Sequence, residues 1–293
     1  MNNKIFITGS CGFLFSNFIR KVIYNKLNYK IFSIDCISNN VLNNVYQNKN
    51  HSFYIGNCND NHLLDIIFLS DNPDIIIHGA FENNLAKDLE ITAKLLEKSK
   101  GKRFIFISSS DVYGFSNNKL TEDSDLAPES NEGINKLLCE NLVIDYCTIH
   151  KIDYNIIRVG KIFGPRQSKS NLFVNAINNF KNKNTIELNC NNTYSFGYVS
   201  DAVNGVLKVL DSGKNAEIYN LGSFSASEFD VLCSIQSKLN LEEELIIQNN
   251  INKKSCIINC DKLNNIGWSV EQNLEDSVSM FTQWYLNNNW WFK

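Results

Sequence analysis

The sequence predicts an α/β protein: a doubly wound parallel sheet, followed by a smaller lobe in the C-terminal part of the chain. Short apolar runs alternate with amphipathic segments through the first half, which is the order expected when helices connect parallel strands. Two of these runs, residues 75–77 and 104–107, are continuously apolar, as in strands covered on both faces. After Pro165 the alternation loosens and the polar loops lengthen, which is typical of a smaller lobe.

The predicted elements follow one another in order along the chain. Strands are expected at residues 5–8, 31–35, 53–55, 75–78, 104–108 and 154–158. Helices are expected at residues 15–27, 61–68, 85–99 and 131–150, each with apolar side chains at helical spacing. No internal repeat or clear linker separates the halves. We therefore predict a first domain over residues 1–163 and a lobe over residues 164–293, with residues 197–222 returning to the first domain.

Composition narrows the class of protein. Of the 293 residues, 43% are hydrophobic and 20% are charged, as in a soluble globular protein. A formal net charge of −3 gives no basic field that would attract nucleic acid. The sequence contains no apolar run of about 18 residues that would predict a membrane span, and its first residues do not resemble a signal peptide. We therefore expect a cytoplasmic protein. Abundant asparagine, lysine and isoleucine indicate an AT-rich bacterial genome.

The cysteines and histidines do not form a metal-binding pattern. The chain has 9 cysteines without a C-x-x-C pair, and its 4 histidines are isolated from one another. A zinc site is therefore not expected. Most of the cysteines stand beside apolar residues and are interpreted as small buried hydrophobic side chains in a reducing compartment.

The first predicted strand leads into a glycine-rich turn. Residues 8–15 read TGSCGFLF, which matches the pattern T-G-x-x-G-x-x-G except that Phe15 replaces the third glycine. The first glycine of that pattern permits a tight turn, the second lets backbone N–H groups approach a pyrophosphate, and the third lets the helix pack closely on the strand. The turn therefore predicts a Rossmann-type dinucleotide site that must accommodate a large ring at the third position.

Asp35 ends the second predicted strand, about 20 residues beyond the last glycine, where an acidic side chain hydrogen-bonds the adenosine ribose. A carboxylate there also repels a 2′-phosphate, so NAD is predicted rather than NADP. The alternative is a solvated residue at the end of a strand. Strand, turn, helix, strand and acid occur in the expected order, which favours the cofactor role.

Further motifs follow in a fixed order. They are SSSDVYG at residues 108–114, EGINKLLCE at 132–140, RVGKIFGPRQ at 158–167, and DKL, IGW and LEDSV within 261–278. Together they resemble the extended short-chain dehydrogenase/reductases, specifically the NAD-dependent nucleotide-sugar epimerase/dehydratase family, over nearly the whole chain. The resemblance implies an enzyme that acts on a nucleotide sugar through a 4-keto sugar, by epimerisation, reduction or dehydration, in the biosynthesis of bacterial surface-glycan sugars.

The resemblance also assigns site residues. The cofactor would be bound by Thr8, Gly9, Gly12, Phe13, Leu14, Asp35, Asn57, Cys58, Gly79, Ala80 and Lys136. Catalysis would depend on Ser109, Glu132 and Lys136, and the substrate would contact Ser110, Asp111, Arg166 and Tyr194. Tyr194 stands about where an arginine for the nucleotide phosphates is usual. Arg166 is therefore expected to meet the diphosphate, since its planar fork suits phosphate oxygens.

The sequence departs from the family at Glu132. The family has a catalytic tyrosine four residues before the lysine, in Y-x-x-x-K, and this chain has Glu132 before Lys136. A glutamate, with a reference pKa near ~4.3, is a poor base for an alcohol. It is a reasonable base for a carbon-bound proton beside a ketone. Two alternatives stay open: a plain helix salt bridge between Glu132 and Lys136, and a catalytically silent protein that binds a nucleotide sugar or a dinucleotide.

The helix predicted at residues 131–150 also indicates self-association. It carries Leu137, Leu138, Leu142, Val143 and Tyr146, which is more apolar surface than one buried face needs. The resemblance implies that this helix pairs with its copy in a second chain. We therefore expect a homodimer.

Overall fold

A parallel sheet covered by helices on both faces forms the larger part of the chain, and this confirms the predicted fold class. The computed structural model describes residues 3–36, 42–188, 191–243, 245–249 and 253–292. Its strands are β1 (Asn3–Thr8), β2 (Tyr29–Asp35), β3 (His51–Ile55), β4 (Ile75–His78), β5 (Arg103–Ser109), β6 (Tyr154–Val159), β7 (Lys161–Phe163), β8 (Ile186–Leu188), β9 (Thr193–Tyr198), β10 (Glu217–Leu221), β11 (Phe224–Ser227), β12 (Ile246–Gln248) and β13 (Ser255–Cys256).

The helices match the predicted segments closely in the first half of the chain. They are α1 (Phe13–Tyr24), α2 (Asn61–Asp71), α3 (Leu85–Glu97), α4 (Asn131–His150), α5 (Leu172–Lys181), α6 (Val199–Ser212), α7 (Glu228–Lys238), α8 (Asp261–Asn265) and α9 (Leu274–Asn287). Short 3-10 turns lie at Leu42–Asn44, Ser110–Tyr113 and Asn289–Phe292. The first helix begins two residues earlier than predicted, so Phe13 and Leu14 lie in its first turn.

Within the described residues, the large sheet has seven parallel strands in the order β10-β6-β5-β4-β1-β2-β3. Successive side chains of a strand point to opposite faces, and β1 shows the result. Ile5 and Ile7 belong to a core that includes α1 and α6, whereas Phe6 belongs to a core that includes α2, α3 and α4. Both faces are therefore apolar, which explains the continuous apolar runs in the sequence.

The lobe has its own core. It forms around α5, α7 and α9, with Phe163, Phe196 and Phe281 among its buried side chains. A small sheet joins β11, β9 and β13, and β7 also pairs with β9. The chain returns to the large sheet through α6, which packs on α1, and through β10, which pairs with β6. The exact domain boundaries stay a prediction.

Helix α4 is capped at its start, and its apolar side chains are only partly exposed. Ser130 caps its first turn, because the Ser130 side chain accepts a hydrogen bond from the Gly133 N–H group. Of the five apolar side chains on which the expectation of self-association rests, Val143 is fully buried in the core. Ile134 and Leu138 are the strongly apolar side chains that stay exposed near the start of this helix, at 40% and 38%.

Candidate functional site

Two adjoining cavities lie along the carboxyl ends of the parallel strands, where ligands bind in open α/β sheets. The first, here called the strand-end cavity, has a volume of about 410 Å³ and is lined by Gly9, Gly12, Asp35, Asn57, Cys58, Gly79, Ala80 and others. The second, the central cavity, has a volume of about 440 Å³ and is lined by Phe13, Leu14, Ser109, Glu132, Lys136 and others. Phe81 lines both cavities, so they meet at its side chain.

The glycine turn holds α1 against the neighbouring loop after β4. Gly9 has a φ of +70°, and a Cβ at this position would lie 2.8 Å from the Ala80 nitrogen. Only glycine can adopt this backbone conformation and also leave room for the Ala80 backbone. Gly12 then caps the start of α1, whose free N–H groups and positive end favour an anion. This turn can therefore hold the pyrophosphate that its sequence predicts.

Asp35 lies beside the turn at the end of β2. Its Oδ2 accepts a hydrogen bond from the Cys11 backbone N–H at 2.7 Å. Burial raises the pKa of the Asp35 carboxyl, and backbone N–H groups, that of Cys11 foremost, oppose this effect. The carboxyl group lines the strand-end cavity, which is the placement required for a hydrogen bond to a ribose.

Thr8 supports this site from beneath rather than from the cavity wall. Its side chain is fully buried, and its Oγ1 accepts hydrogen bonds from the N–H groups of Gly79 and Ala80, each at 3.2 Å. The same hydroxyl lies 2.8 Å from His78 Nδ1. Burial lowers the pKa of His78 to about 3, so the ring is neutral. Thr8 and His78 thus fix the loop that forms one wall of the cavity.

The ring of Phe15 does not crowd the turn. Phe15 is 3% exposed and packs edge-on against Phe18, with ring centres 5.8 Å apart. It fills the space left by a different glycine, since a Cβ on Gly79 would lie only 2.0 Å from Phe15 Cε2. The large ring at the third position is therefore accommodated in the core, because Gly79 opposite the ring leaves it room.

Asn57 and Cys58 line the outer part of the strand-end cavity. Asn57 Oδ1 accepts a hydrogen bond from the Asn59 N–H at 3.1 Å, which closes a tight turn after β3. Cys58 is 4% exposed, and burial raises the pKa of its thiol. Both residues lie where the sequence places them, with the cysteine as a small apolar wall.

The structure brings together the three residues predicted for catalysis. Ser109 at the end of β5, and Glu132 and Lys136 in the first turns of α4, all line the central cavity. Ser109 Oγ accepts a hydrogen bond from the Asp111 N–H at 3.2 Å, so its own proton can be donated to a ligand. Glu132 is exposed to the cavity, whereas Lys136 is buried.

Lys136 is held without a salt bridge to Glu132. Its Nζ donates to the Ile107 carbonyl oxygen at 2.9 Å and lies 4.1 Å from the centre of the Phe81 ring. Burial lowers the pKa of the Lys136 ammonium, and the charge of Glu132 acts in the opposite direction. Among the described residues no ion pair joins the two side chains, so the plain salt bridge is not what places them here.

The predicted substrate residues are divided between two places. Asp111 and Tyr194 line a third cavity of about 240 Å³ beside the central one, here called the side cavity. Ser110 is 2% exposed, and its carbonyl oxygen accepts a hydrogen bond from the Cys256 thiol at 3.6 Å. Ser110 is thus part of the packing beneath the site.

Arg166 is turned towards the protein surface. Its Nη1 donates to the Asn43 carbonyl oxygen at 3.0 Å, and its guanidinium lies 5.8 Å from the centre of the Trp284 ring. Its neighbour Gln167 lines the central cavity instead. The backbone of Arg166 has a φ of +73°, in the left-handed region.

Sequence reasoning missed several residues that line the central cavity, among them Phe81, Lys161 and Gln167. Lys161 and Gln167 stand inside the motif at residues 158–167, so proximity to a recognised motif was the available signal. Lys161 pairs with Asp111, with 3.0 Å between Nζ and Oδ2. Burial lowers the pKa of Lys161, but the charges of Asp111 and Glu132 oppose this effect, and the net result is a raised pKa.

Two further searches of the described residues concern other kinds of site. No group of three or more His, Cys, Asp or Glu side chains is arranged to hold a metal ion in this part of the chain. No helix among the same residues combines the length and the apolar character needed to cross a bilayer.

Comparison with curated proteins gives relatives in sugar metabolism. The low-salt glycan biosynthesis protein Agl12 of Haloferax volcanii is 28% identical over 194 residues, which cover 64% of this chain and 63% of that protein. The dTDP-D-glucose 4,6-dehydratase of Dictyostelium discoideum is 29% identical over 267 residues, covering 72% and 60%. The chain thus spans about three fifths of the length of these relatives.

Comparison with solved structures supports the fold. The crystal structure of dTDP-glucose 4,6-dehydratase from Bacillus anthracis in complex with NAD matches with a TM-score of 0.92 and 23% identity, covering 99% of this chain and 98% of that one. A family model described as the NAD dependent epimerase/dehydratase family matches residues 5–222. The predicted family and its NAD dependence agree with this match. The chain belongs to the NAD dependent epimerase/dehydratase family.

Proposed function

We propose that this protein is an NAD-dependent enzyme that modifies the sugar of a nucleotide sugar through a 4-keto sugar, in the biosynthesis of surface-glycan sugars. The family supports the cofactor, and the similarity to dTDP-glucose 4,6-dehydratases supports the substrate class. The Agl12 relative supports the link to glycans. The bacterial setting rests on composition, and the cytoplasmic location stays a prediction of the sequence.

One observation carries the proposal: the cavity that contains Ser109, Glu132 and Lys136 meets, at Phe81, the cavity that contains the glycine turn and Asp35. In this arrangement a dinucleotide bound along the strand ends would have its far end beside the three side chains. NAD would supply hydride transfer there. Gly9, Gly12 and Asp35 would hold its pyrophosphate and ribose, and Lys136 its second ribose.

Glu132 would act as a base on carbon. The C–H bond beside the ketone breaks, its proton passes to the Glu132 carboxylate, and the electron pair moves to the ketone oxygen. Ser109 can donate its hydroxyl proton in a hydrogen bond to that oxygen. A proton from solvent then adds to the other face of the carbon and gives the epimer, while Glu132 releases its proton to solvent, so this step involves no net oxidation or reduction. A carboxylate suits this reaction better than it suits proton removal from an alcohol.

A substitution at Glu132 tests this role. Glu132→Gln keeps the shape and the hydrogen bonding of the side chain but cannot take up the proton. We expect deuterium exchange from solvent into a keto-sugar nucleotide to fall by about 10²–10⁴-fold, with ligand affinity near normal. Mass spectrometry of the recovered sugar measures the exchange. Glu275→Gln, in the first turn of α9, is the matched control and should leave the rate unchanged.

The competing function is a catalytically silent protein that binds a nucleotide sugar or a dinucleotide. Glu132 in place of the tyrosine and Tyr194 in place of the arginine favour it. In that case the unaltered protein gives no exchange and no change in nicotinamide absorbance with any nucleotide sugar. Such a result, together with measurable binding, would replace the enzyme by the silent binder.

Asp35 gives a separate test of the cofactor. We expect NAD(H) to bind at least ten-fold more tightly than NADP(H), about 1.4 kcal/mol, because the carboxylate repels a 2′-phosphate. Asp35→Asn should narrow this preference. Asp74→Asn is the control, since Asp74 also accepts a backbone N–H, that of Lys4 at 2.9 Å, but precedes β4. Titration calorimetry measures the affinities, and equal affinities in the unaltered protein would remove Asp35 from this role.

A further inference from the structure

Lys161 places a partly exposed positive charge in the wall of the central cavity. Its side chain is 37% exposed at the start of β7 and lines the cavity. Lys136 is the other lysine that lines this cavity among the described residues. It is only 6% exposed and is bonded to the Ile107 carbonyl oxygen. An anion that enters the cavity would therefore meet Lys161 first.

Two neighbours hold the Lys161 side chain in place. Asp111 Oδ2 accepts a hydrogen bond from Nζ at 3.0 Å, and the ammonium lies 5.3 Å from the centre of the Tyr194 ring. An ammonium group has three N–H donors. Asp111 is its hydrogen-bond partner within the described part of the chain, so donors are left for a ligand. Because Lys161 lines the central cavity and Asp111 the side cavity, the ion pair forms part of the wall between them.

Lys161 and Tyr194 also show where a positive charge lies in this region, although position 194 itself carries no charged side chain. The sequence has Tyr194 where an arginine for the nucleotide phosphates is usual, and Arg166 is bonded to the Asn43 carbonyl oxygen at the surface. The Tyr194 ring, however, lies against the Lys161 ammonium. A positive charge thus occupies this region from a different position in the sequence.

We propose that Lys161 binds an anionic oxygen group of the substrate, with Asp111 and Tyr194 as positioning residues. This inference rests on the proposed function, since it takes a nucleotide sugar as the ligand. Two groups have the required chemistry: the diphosphate and a carboxylate on the sugar. Glu132 and Glu228 also line the cavity and repel anions. Lys161 is therefore the accessible group of the cavity wall that attracts the anion.

The experiment compares two lysines in similar surroundings. Lys254 also pairs with a carboxylate, that of Glu129 at 2.5 Å, and also lies over an aromatic ring, that of Phe115 at 4.9 Å. Lys161→Met and Lys254→Met therefore each remove one ion pair and one cation–π contact. Titration calorimetry would measure the affinity of each variant for UDP, dTDP, UDP-glucose, UDP-glucuronic acid and NAD. NAD affinity and the thermal midpoint report whether each variant is folded.

We expect Lys161→Met to weaken binding of the anionic ligand at least ten-fold, with NAD affinity unchanged, and Lys254→Met to change it by less than three-fold. Lys161→Arg keeps the charge and should retain most of the affinity. An equal loss for UDP, dTDP and both sugars identifies the diphosphate. A loss confined to UDP-glucuronic acid identifies a sugar carboxylate.

Two other outcomes are distinguishable. If the unaltered protein binds these nucleotides and Lys161→Met binds them equally well, the inference about Lys161 is wrong and the proposed function stands. If the unaltered protein binds NAD but none of the nucleotides or nucleotide sugars, the proposed substrate class is wrong and the role of Lys161 is lost with it.

Discussion

At the scale of single residues, the glycine turn shows that a missing motif residue can be compensated from a distant part of the chain. Phe15 occupies the third glycine position, where a small residue normally lets the helix approach the strand. Here the small residue is Gly79, which follows β4 and faces the Phe15 ring. A glycine that is distant in sequence thus provides the space that the Phe15 ring needs.

This pairing predicts a coupled effect on stability. Gly79→Ala should lower the free energy of unfolding by about 1–3 kcal/mol, because the new Cβ would lie 2.0 Å from the Phe15 ring. Phe15→Leu should also destabilise by removing buried ring atoms. The double variant should lose less unfolding free energy than the two single variants lose together, because the smaller leucine side chain leaves room for the new Cβ. Urea unfolding measures all three, and simple additivity would contradict the pairing.

NAD affinity provides a second check on Phe15. The ring is buried beside Phe18 rather than in either cavity wall, so Phe15→Leu should change NAD affinity by less than about three-fold if the variant stays folded. A large loss of NAD affinity in a fully folded Phe15→Leu variant would show that the ring contributes to the cofactor site.

At the scale of elements, the turn between β1 and α1 depends on a backbone conformation as well as on space. Gly9 and Gly101 have nearly the same positive φ, +70° and +71°. They differ in surroundings: a Cβ on Gly9 would meet the Ala80 backbone, whereas no described atom lies within 4 Å of a Cβ on Gly101. Substitutions at the two glycines therefore distinguish the cost of backbone strain from the cost of a steric clash.

We expect Gly101→Ala to cost about 1–2 kcal/mol of unfolding free energy from strain alone, with NAD affinity unchanged. Gly9→Ala should cost more, because the loop after β4 must also move, and should weaken NAD binding at least ten-fold. Denaturant unfolding and calorimetric titration with NAD measure the two effects. Equal behaviour of the variants would show that the contact between Gly9 and Ala80 does not shape the site.

At the scale of the whole molecule, α4 connects the candidate site with the predicted subunit interface. Lys136 faces the central cavity, while Ile134 and Leu138, each two residues away, are 40% and 38% exposed. The helix is thus buried on the side that carries the site and apolar on part of its outer side. A helix of this kind is expected to pack against another surface. The predicted homodimer would bury these side chains.

Light scattering tests the association. The unaltered protein should have the mass of a dimer, and Leu138→Glu should reduce that mass towards a monomer by placing a charge in the interface. Leu69→Glu is the control, because Leu69 on α2 is 84% exposed and lies away from α4 in the sequence. A monomer mass for the unaltered protein at working concentration would defeat the prediction.

What the sequence determined by itself was local. Short apolar runs predicted β1, β2, β4, β5 and β6 to within a few residues, and helical spacing predicted α4 in full. The glycine turn and Asp35 follow from the same logic, because each depends on a short stretch whose backbone geometry is set by its own residues. These elements and their parallel order bring the strand ends to one edge of the sheet.

Only the tertiary structure decided which side chains face the cavities. Arg166 and Lys161 are five residues apart in one motif, yet Lys161 lines the central cavity while Arg166 stacks on Trp284. Phe15 faces the core because Gly79, 64 positions later, leaves space for its ring. Side-chain direction depends on partners that are distant in sequence, and a single sequence contains no record of which distant residues meet. For this reason the fold was predictable, and part of the site was not.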